Sequence, residues 1–182
     1  MPNWCDCEIE IKGPRDKIHH LWEQMHELHP TEGEIALLTA LVPMPPNRNT
    51  VEEAVEVWGT KREIGENDLT YTEDEEKKLA IIKGHFESAW TPPLKALQTF
   101  CSQDENDDIF IFLEYDEHGV RMCGWWDSDG NEDHWDMNRI AKLTVIEYRT
   151  GMHPITRERL MGTIDGYIEE FVENIKSGKE EQ

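Results

Sequence analysis

The hydrophobic pattern of the chain begins with a clean alternation over residues 4–12. One side of this segment is apolar and the other is charged: Cys5, Cys7, Ile9 and Ile11 alternate with Asp6, Glu8, Glu10 and Lys12. A period of two residues is typical of a strand with one buried face. After Gly13-Pro14, apolar residues recur at helical spacing until Pro30, which predicts an amphipathic helix.

The middle of the chain is less regular. Residues 35–42 predict a short helix or a buried segment. Thr50 and Glu53 have the spacing of a capping box, which predicts a short helix through Val57. We expect residues 59–78 to start with an extended piece and to continue as an acidic, exposed loop.

The next predicted unit contains strands on either side of a helix. Residues 79–90 predict a strand, and Thr91 is placed to cap the helix that follows. Residues 109–113 are apolar at every position, which favours a strand covered on both faces. Residues 120–126 are expected to return as its antiparallel partner, followed by a turn over 127–133.

Apolar side chains at helical spacing over residues 160–175 predict a C-terminal amphipathic helix. The element order predicts an α+β fold: a ferredoxin-like βαββαβ sheet with an added antiparallel hairpin, and with the C-terminal helix packed on it. Residues 1–137 form the ferredoxin-like domain with an acidic insertion near 63–78. Residues 138–182 are expected to form a C-terminal strand and helix extension of the same domain.

Composition adds a strong charge bias. The chain of 182 residues has a formal net charge of −21, without a cluster of Lys and Arg. This balance disfavours direct binding to nucleic acid or to an anionic membrane, and it favours basic partners. The chain shows no signal pattern or membrane-length apolar run, and its four Cys lack a disulfide-scaffold spacing. We therefore expect a cytoplasmic protein without a cofactor, whose oligomeric state the sequence leaves open.

Four short motifs carry a family resemblance, and they occur in order along the chain. They are Met1-Pro2-Asn3-Trp4-Cys5, Trp58-Gly59-Thr60-Lys61, Ala89-Trp90-Thr91-Pro92-Pro93, and Tyr115-Asp116-Glu117-His118-Gly119 followed by Gly124. Together they resemble the YubB-like proteins of bacteriophages and conjugative plasmids, whose common domain is described as ferredoxin-like. The resemblance spans roughly residues 1–137. It implies a fold and a mobile-element origin in a bacterial host cell, and it implies no reaction.

These motifs also suggest a small-ligand or metal-dependent site. Trp58, Lys61, Trp90, Tyr115 and Glu117 could together form aromatic walls with a few polar groups, as ligand pockets do. In the alternative interpretation, which we favour, the two Trp residues are core anchors and Lys61 is a solvated charge. The sequence contains no phosphate loop and no nucleophile motif, so we expect a binding protein rather than an enzyme.

The segment from Asp127 to Asp133 has oxygen ligands at alternate positions. A metal candidate here consists of Asp127, Asp129, Asn131 and Asp133. Asp-Gly between two strands is also a common hairpin turn, and we favour the turn. Zinc spacings of Cys and His are absent from the sequence.

The remaining candidate is an acidic partner-binding surface on strand ends and turns. Its predicted members are Asp104, Glu105, Asp107, Asp108, Asp116, Glu117, Asp127, Asp129, Glu132 and Asp133. Carboxylates on a rigid surface can imitate a phosphate array and bind a DNA-binding protein. The leading hypothesis is an acidic mobile-element protein that binds a basic or DNA-binding host protein, as a DNA mimic inhibiting a host defence factor. The alternative is a solvated acidic exterior without a partner.

Overall fold

A computed structural model describes residues 3–28, 35–46, 50–117, 119 and 122–136. These residues form an α+β structure with one six-stranded antiparallel sheet, which confirms the predicted class. The strands are β1 Trp4–Pro14, β2 Thr70–Asp74, β3 Leu79–Ala89, β4 Phe110–Glu117, β5 Met122–Asp127 and β6 Glu132–Asp136. Their order across the sheet is β2-β3-β1-β4-β5-β6.

Short helices join the first strands. They are α1 Arg15–Glu27, α2 Leu37–Leu41, α3 Val51–Trp58 and α4 Leu94–Cys101, with a 3₁₀ helix at Asp104–Asn106. The capping box that begins α3 is confirmed: the Thr50 hydroxyl accepts from the Glu53 amide, and the Glu53 carboxylate accepts from the Thr50 amide. Within the described residues, none of the helices is long and apolar enough to cross a membrane.

The alternation in β1 separates two faces of the sheet. Cys5, Cys7, Ile9 and Ile11 are buried and belong to the hydrophobic core. The same core contains every buried apolar side chain of α1, α2, α3 and α4, so these helices cover this face. The opposite face carries the charged residues of β1, and we call it the carboxylate face.

The expected hairpin after the apolar strand is confirmed. β4 pairs with β1 on one side and with β5 on the other, so β5 covers the side of β4 that would otherwise be an edge. A turn then leads into β6, which pairs with β5. The predicted C-terminal helix over 160–175 and the weak strand before it lie outside the described residues.

Two local predictions are wrong. The region expected to be an acidic loop contains strand β2, because Thr70, Tyr71 and Thr72 suit a strand and pair with β3. Thr91 does not cap α4, since its hydroxyl donates to the carbonyl of Gly59 at 2.7 Å. The N-cap of α4 is Pro93, without a side-chain hydrogen bond.

Candidate functional site at one end of the sheet

The four motifs meet where β1 begins and β3 ends, and we call this region the motif end. Trp4 of β1 pairs with Ala89 of β3, and the Trp90 amide donates to the carbonyl of Asn3 at 2.9 Å. A Cβ atom on Gly119 would clash with the Asn3 side chain, which places the fourth motif against the first. Segments far apart in sequence therefore build one structural unit.

Buried hydroxyl groups connect the second and third motifs. The Thr60 hydroxyl donates to the carbonyl of Ala89 at 2.7 Å, and the Ser88 hydroxyl donates to the carbonyl of Thr91 at 2.7 Å. Thr60 and Ser88 are both fully buried. Because buried polar groups that lose a partner cost about 1–3 kcal/mol, these bonds hold the two segments in one arrangement.

Two cations lie on two tryptophan rings at this end. Lys61 Nζ is 3.7 Å from the Trp90 ring centroid, and Arg62 Cζ is 4.5 Å from the Trp4 ring centroid. Both distances are in the range of cation–π contacts. In the favoured interpretation Lys61 was a solvated charge, whereas the structure places its Nζ against the Trp90 ring.

Trp90 itself is not a core anchor. Its side chain is 41% exposed, and its φ of +79° puts a bulky residue in the left-handed region. The strand ends at Ala89, because a residue with this φ cannot continue an extended ladder. Trp58, by contrast, lies in the core, where its Nε1 donates to the carbonyl of Val42 at 2.7 Å.

Tyr115 and Glu117 lie on the helix-covered side of the sheet. Tyr115 is 6% exposed, and burial, followed by the nearby thiols, raises the pKa of its hydroxyl far above the ordinary value. Glu117 is fully buried and accepts from the Gly119 amide at 3.0 Å. The five residues predicted as one ligand cluster are therefore divided: Lys61 and Trp90 meet at the surface, whereas Trp58, Tyr115 and Glu117 are each buried.

The predicted acidic surface is divided as well. The start of β4 and the β5–β6 turn lie together, since the Ser128 amide donates to the carbonyl of Ile111 at 2.9 Å. This opposite end of the sheet, the acidic end, carries these exposed members: Asp104, Glu105, Asp107, Asp108, Asp129, Glu132 and Asp133. Asp116 lies instead on the carboxylate face, beside Asp6.

Two predicted members of the acidic surface are not accessible. Glu117 is buried at the motif end, and Asp127 is only 9% exposed. The Asp127 carboxylate accepts from the amides of Asp129 and Asn131, each at 3.0 Å. The carboxylate of Asp127 thus stabilises the β5–β6 turn through hydrogen bonds from its backbone. The interpretation of this segment as a turn is confirmed. Within the described ranges, no group of three or more His, Cys, Asp and Glu residues is arranged to hold a metal ion.

The sequence interpretation missed the carboxylate face. Asp6 stands between Glu87 of β3 and Asp116 of β4, and Glu8 stands between His85 and Glu114. His85 Nε2 is 3.4 Å from an Asp6 oxygen. The alternating acids of β1 were visible in the sequence, but their acidic neighbours became visible only with the strand pairing.

No family model matches the chain, and neither the curated proteins nor the solved structures contain a significant match.

Proposed function

We propose that the protein binds a basic, DNA-binding protein of its bacterial host through the acidic end of its sheet. The observation that carries this proposal is the grouping of exposed carboxylates on two neighbouring turns, around residues 104–108 and 128–133. Both turns are tied to the start of β4, which gives the carboxylates a rigid support. Fixed negative charges on a rigid rim attract the surfaces that normally contact phosphates.

Among the residues that the structure describes, few cations neutralise the charge of the acidic end. Lys17 Nζ lies 2.6 Å from an Asp108 oxygen and also contacts the carbonyl of Glu105. At the neighbouring β2–β3 turn, Lys77 pairs with Asp74 at 2.8 Å. The exposed acids of both turns outnumber these two cations, and the chain has a net charge of −21. The acidic end therefore remains strongly negative.

The sharper form of the proposal is DNA mimicry by a mobile-element protein against a host defence factor in the host cytoplasm. Its support is the charge pattern together with the four YubB-like motifs, which gather at one end of the sheet. We also propose that the core of the fold is ferredoxin-like. In support of that core, α1 connects β1 to β2, α4 connects β3 to β4, and these strands have the order β2-β3-β1-β4 within the sheet.

The experiment is capture of bacterial DNA-binding proteins on the immobilised chain at about 50–100 mM salt, a range in which phosphate-type contacts remain strong. Bound protein should be released by duplex DNA if it uses its DNA-binding surface. A variant with Asp104→Asn, Glu105→Gln and Asp129→Asn should bind roughly 3- to 150-fold more weakly, since exposed charge pairs contribute about 0.2–1 kcal/mol each.

The matched control removes the same charge from other exposed positions, with Glu27→Gln, Glu52→Gln and Glu66→Gln. It should bind as the unmodified chain does. Equal weakening in both triple variants would show that net charge alone attracts the partner. Failure to capture any DNA-binding protein throughout this salt range would remove the proposal.

A second candidate function is ligand binding at Trp90 and Lys61. It is favoured by the left-handed backbone of Trp90, because strained backbone is concentrated at functional sites. The surface available to a ligand there consists of Trp90, Lys61, Arg62 and Trp4. Trp58, Tyr115 and Glu117 are buried and do not belong to this surface.

A further inference from the structure

The residues that directly precede Lys61 and Trp90 hold these two side chains together. Thr60 precedes Lys61, Ala89 precedes Trp90, and the buried Thr60 hydroxyl donates to the Ala89 carbonyl at 2.7 Å. This bond joins the two backbones one residue away from the cation–π contact. The surface around Trp90 is therefore preformed, as ligand sites usually are.

A second cation–π contact, that of Arg62 with Trp4, lies beside the first. Lys61 and Arg62 are consecutive residues, so their Cα atoms are about 3.8 Å apart. Trp4 pairs with Ala89, the residue before Trp90. Two indole rings and two cations are thus gathered at the motif end, and we call these four residues the indole–cation patch.

The two cations of the patch carry hydrogen-bond donors that the described residues do not use. A lysine ammonium has three donors and an arginine guanidinium has five. Within the described part of the chain, Lys61 and Arg62 contact the rings but form no hydrogen bond or ion pair. Lys17 and Lys77, by contrast, are each paired with an aspartate. The patch therefore presents positive charge whose donors an anion can take.

The charges around the patch favour an anion at Lys61. Lys95 adds a cation nearby, since a Cβ atom on Gly59 would lie 3.1 Å from the Lys95 Cβ. The carboxylate of Glu63 is already bound, because it accepts from two backbone amides of α2 at 2.6 and 2.8 Å. Glu87 lies close to the other indole ring. The more positive part of the patch is therefore around Lys61.

The acidic end of the sheet is too far away to cancel this local charge. Trp4 begins β1, and Lys12 lies opposite Phe110 at the start of β4, on the side of the acidic end. At about 3.3 Å per residue, the strand from Trp4 to Lys12 spans about 26 Å. The Debye length at about 0.15 M salt is only about 8 Å. An anion at the motif end is therefore largely screened from the acids at the other end.

We propose that the indole–cation patch binds a small ligand that joins an aromatic ring to a phosphate or carboxylate, as a mononucleotide does. The cation–π contact holds the Lys61 ammonium beside the indole, so an anion bound there brings its own ring to the exposed part of Trp90. Arg62 adds donors in the planar arrangement that phosphates and carboxylates fit. The proposal rests on the second candidate function, ligand binding at Trp90 and Lys61, and adds the chemical class of the ligand.

The charge of the chain favours a small ligand over a single-stranded nucleic acid. A nucleic acid also offers rings and phosphates, but each phosphate contact along the strand needs a cation. The patch has two cations, with Lys95 nearby, in a chain of net charge −21. A ligand with a single anionic group suits this supply of cations.

Titration of the full-length chain, followed by the nuclear magnetic resonance signals of its backbone amides and indole N–H groups, tests the proposal. The probes are adenosine monophosphate, phenylacetate, adenosine and inorganic phosphate, at about 0.15 M NaCl. The two anionic aromatic compounds should shift the signals of Trp90 and Lys61, and which of them responds distinguishes a phosphate from a carboxylate ligand. Adenosine monophosphate should bind at least about tenfold tighter than adenosine or phosphate, since each of these uses only half of the patch.

Two variants separate the ring from the charge. Trp90→Gly should weaken binding of the monophosphate roughly 5- to 150-fold, the range for loss of base stacking, and its missing indole signal identifies that of Trp90. Lys61→Gln with Arg62→Gln should weaken it roughly 2- to 30-fold and leave adenosine binding unchanged. The matched control, Lys12→Gln with Lys83→Gln, removes the same charge from two exposed positions and should bind as the unmodified chain does.

Three results would overturn the proposal. The first is that neither anionic aromatic compound shifts the Trp90 signals of the unmodified chain, a result that also decides the matter where a variant unfolds. The second is equal weakening in the control and the Lys61 and Arg62 variant, which would show that net charge alone acts. The third is a single strand of about eight nucleotides that binds more than about a hundredfold tighter than the monophosphate, which would assign the patch to nucleic acid.

Failure of the second candidate function has a different result. If adenosine shifts the Trp90 signals as strongly and binds as tightly as the monophosphate, ligand binding at Trp90 stands and only the anionic class is wrong. If none of the probes shifts these signals, both fail. Neither result bears on the acidic end, which the capture experiment tests separately.

Discussion

Trp90 shows how strongly a single residue depends on its surroundings. Its left-handed backbone costs roughly 1–2 kcal/mol for a residue with a side chain, and its ring is nearly half exposed. The cation–π contact with Lys61 contributes only about 0.5–1 kcal/mol at such an exposed position. Stability alone therefore gives little reason for a tryptophan at this position.

Replacing Trp90 by glycine should change the free energy of unfolding by less than about 1 kcal/mol. The loss of ring contacts is offset by relief of the backbone strain, since glycine accepts positive φ. Trp58→Ala should instead cost about 3–5 kcal/mol, because it empties a core position and leaves the Val42 carbonyl without its donor. Urea unfolding, monitored by circular dichroism, measures the free energy of unfolding of both variants.

An equally large loss in Trp90→Gly and Trp58→Ala would show that Trp90 stabilises the fold as an anchor. A small loss would leave ligand or partner contact as the reason for the exposed ring.

The position of β6, the last strand of the described sheet, depends on a glycine in the neighbouring strand β5. A Cβ atom on Gly124 would clash with the backbone carbonyl of Asp133 and would lie 2.6 Å from the Tyr115 hydroxyl. The glycine that follows the fourth motif therefore allows β4, β5 and β6 to approach closely. The close approach of these strands is thus a packing explanation for a glycine at this position.

Gly124→Ala should push β6 away from the sheet and cost about 1–3 kcal/mol, as overpacking does. Amide hydrogen exchange should show lost protection in residues 132–136 before other strands are affected. Gly130→Ala is the control: its φ of +86° makes alanine strained, but nothing lies within 4 Å of the added Cβ. Gly130→Ala should lower the free energy of unfolding by about 1–2 kcal/mol while the amides of β6 keep their protection from exchange. Equal amide exchange of β6 in the two variants would contradict the packing explanation.

For the whole molecule, charge repulsion is the dominant electrostatic feature. The chain has 39 acidic and 18 basic residues, so its folded state concentrates negative charge that the unfolded chain spreads out. Salt screens this repulsion over a Debye length of about 30 Å at 0.01 M and about 10 Å at 0.1 M.

The free energy of unfolding should therefore rise when NaCl increases from 0.01 to 0.3 M, as measured by urea denaturation at constant pH. A global stability that decreases with salt would show that attractive pairs outweigh the net repulsion.

Local patterns predicted those parts of the fold that neighbouring residues decide. The strict alternation in β1 indicates which side chains are buried, because a strand has a period of two whatever its partners are. Thr50 and Glu53 predicted the start of α3, since a capping box is completed within one turn. Residues 120–126 were also expected to return as the antiparallel partner of the apolar strand, and β5 pairs with β4 in this way.

Periodicity does not indicate which strands become neighbours, and several errors have this cause. β2 was missed because its five residues are held chiefly by pairing with β3. Glu117 and Asp127 were assigned to the surface because carboxylates are usually exposed, whereas backbone amides hold both of them in turns.

The sequence by itself determined the α+β class, the hairpin, the acidic character and the motifs, because each depends on composition or on residues close together in the chain. Only the tertiary structure decided that the four motifs form one end of the sheet and that exposed acids gather at the other. It also decided that β1, lying between β3 and β4, brings their carboxylates into one face. These features depend on contacts between distant segments, which follow from the packing of the whole chain and not from any local pattern.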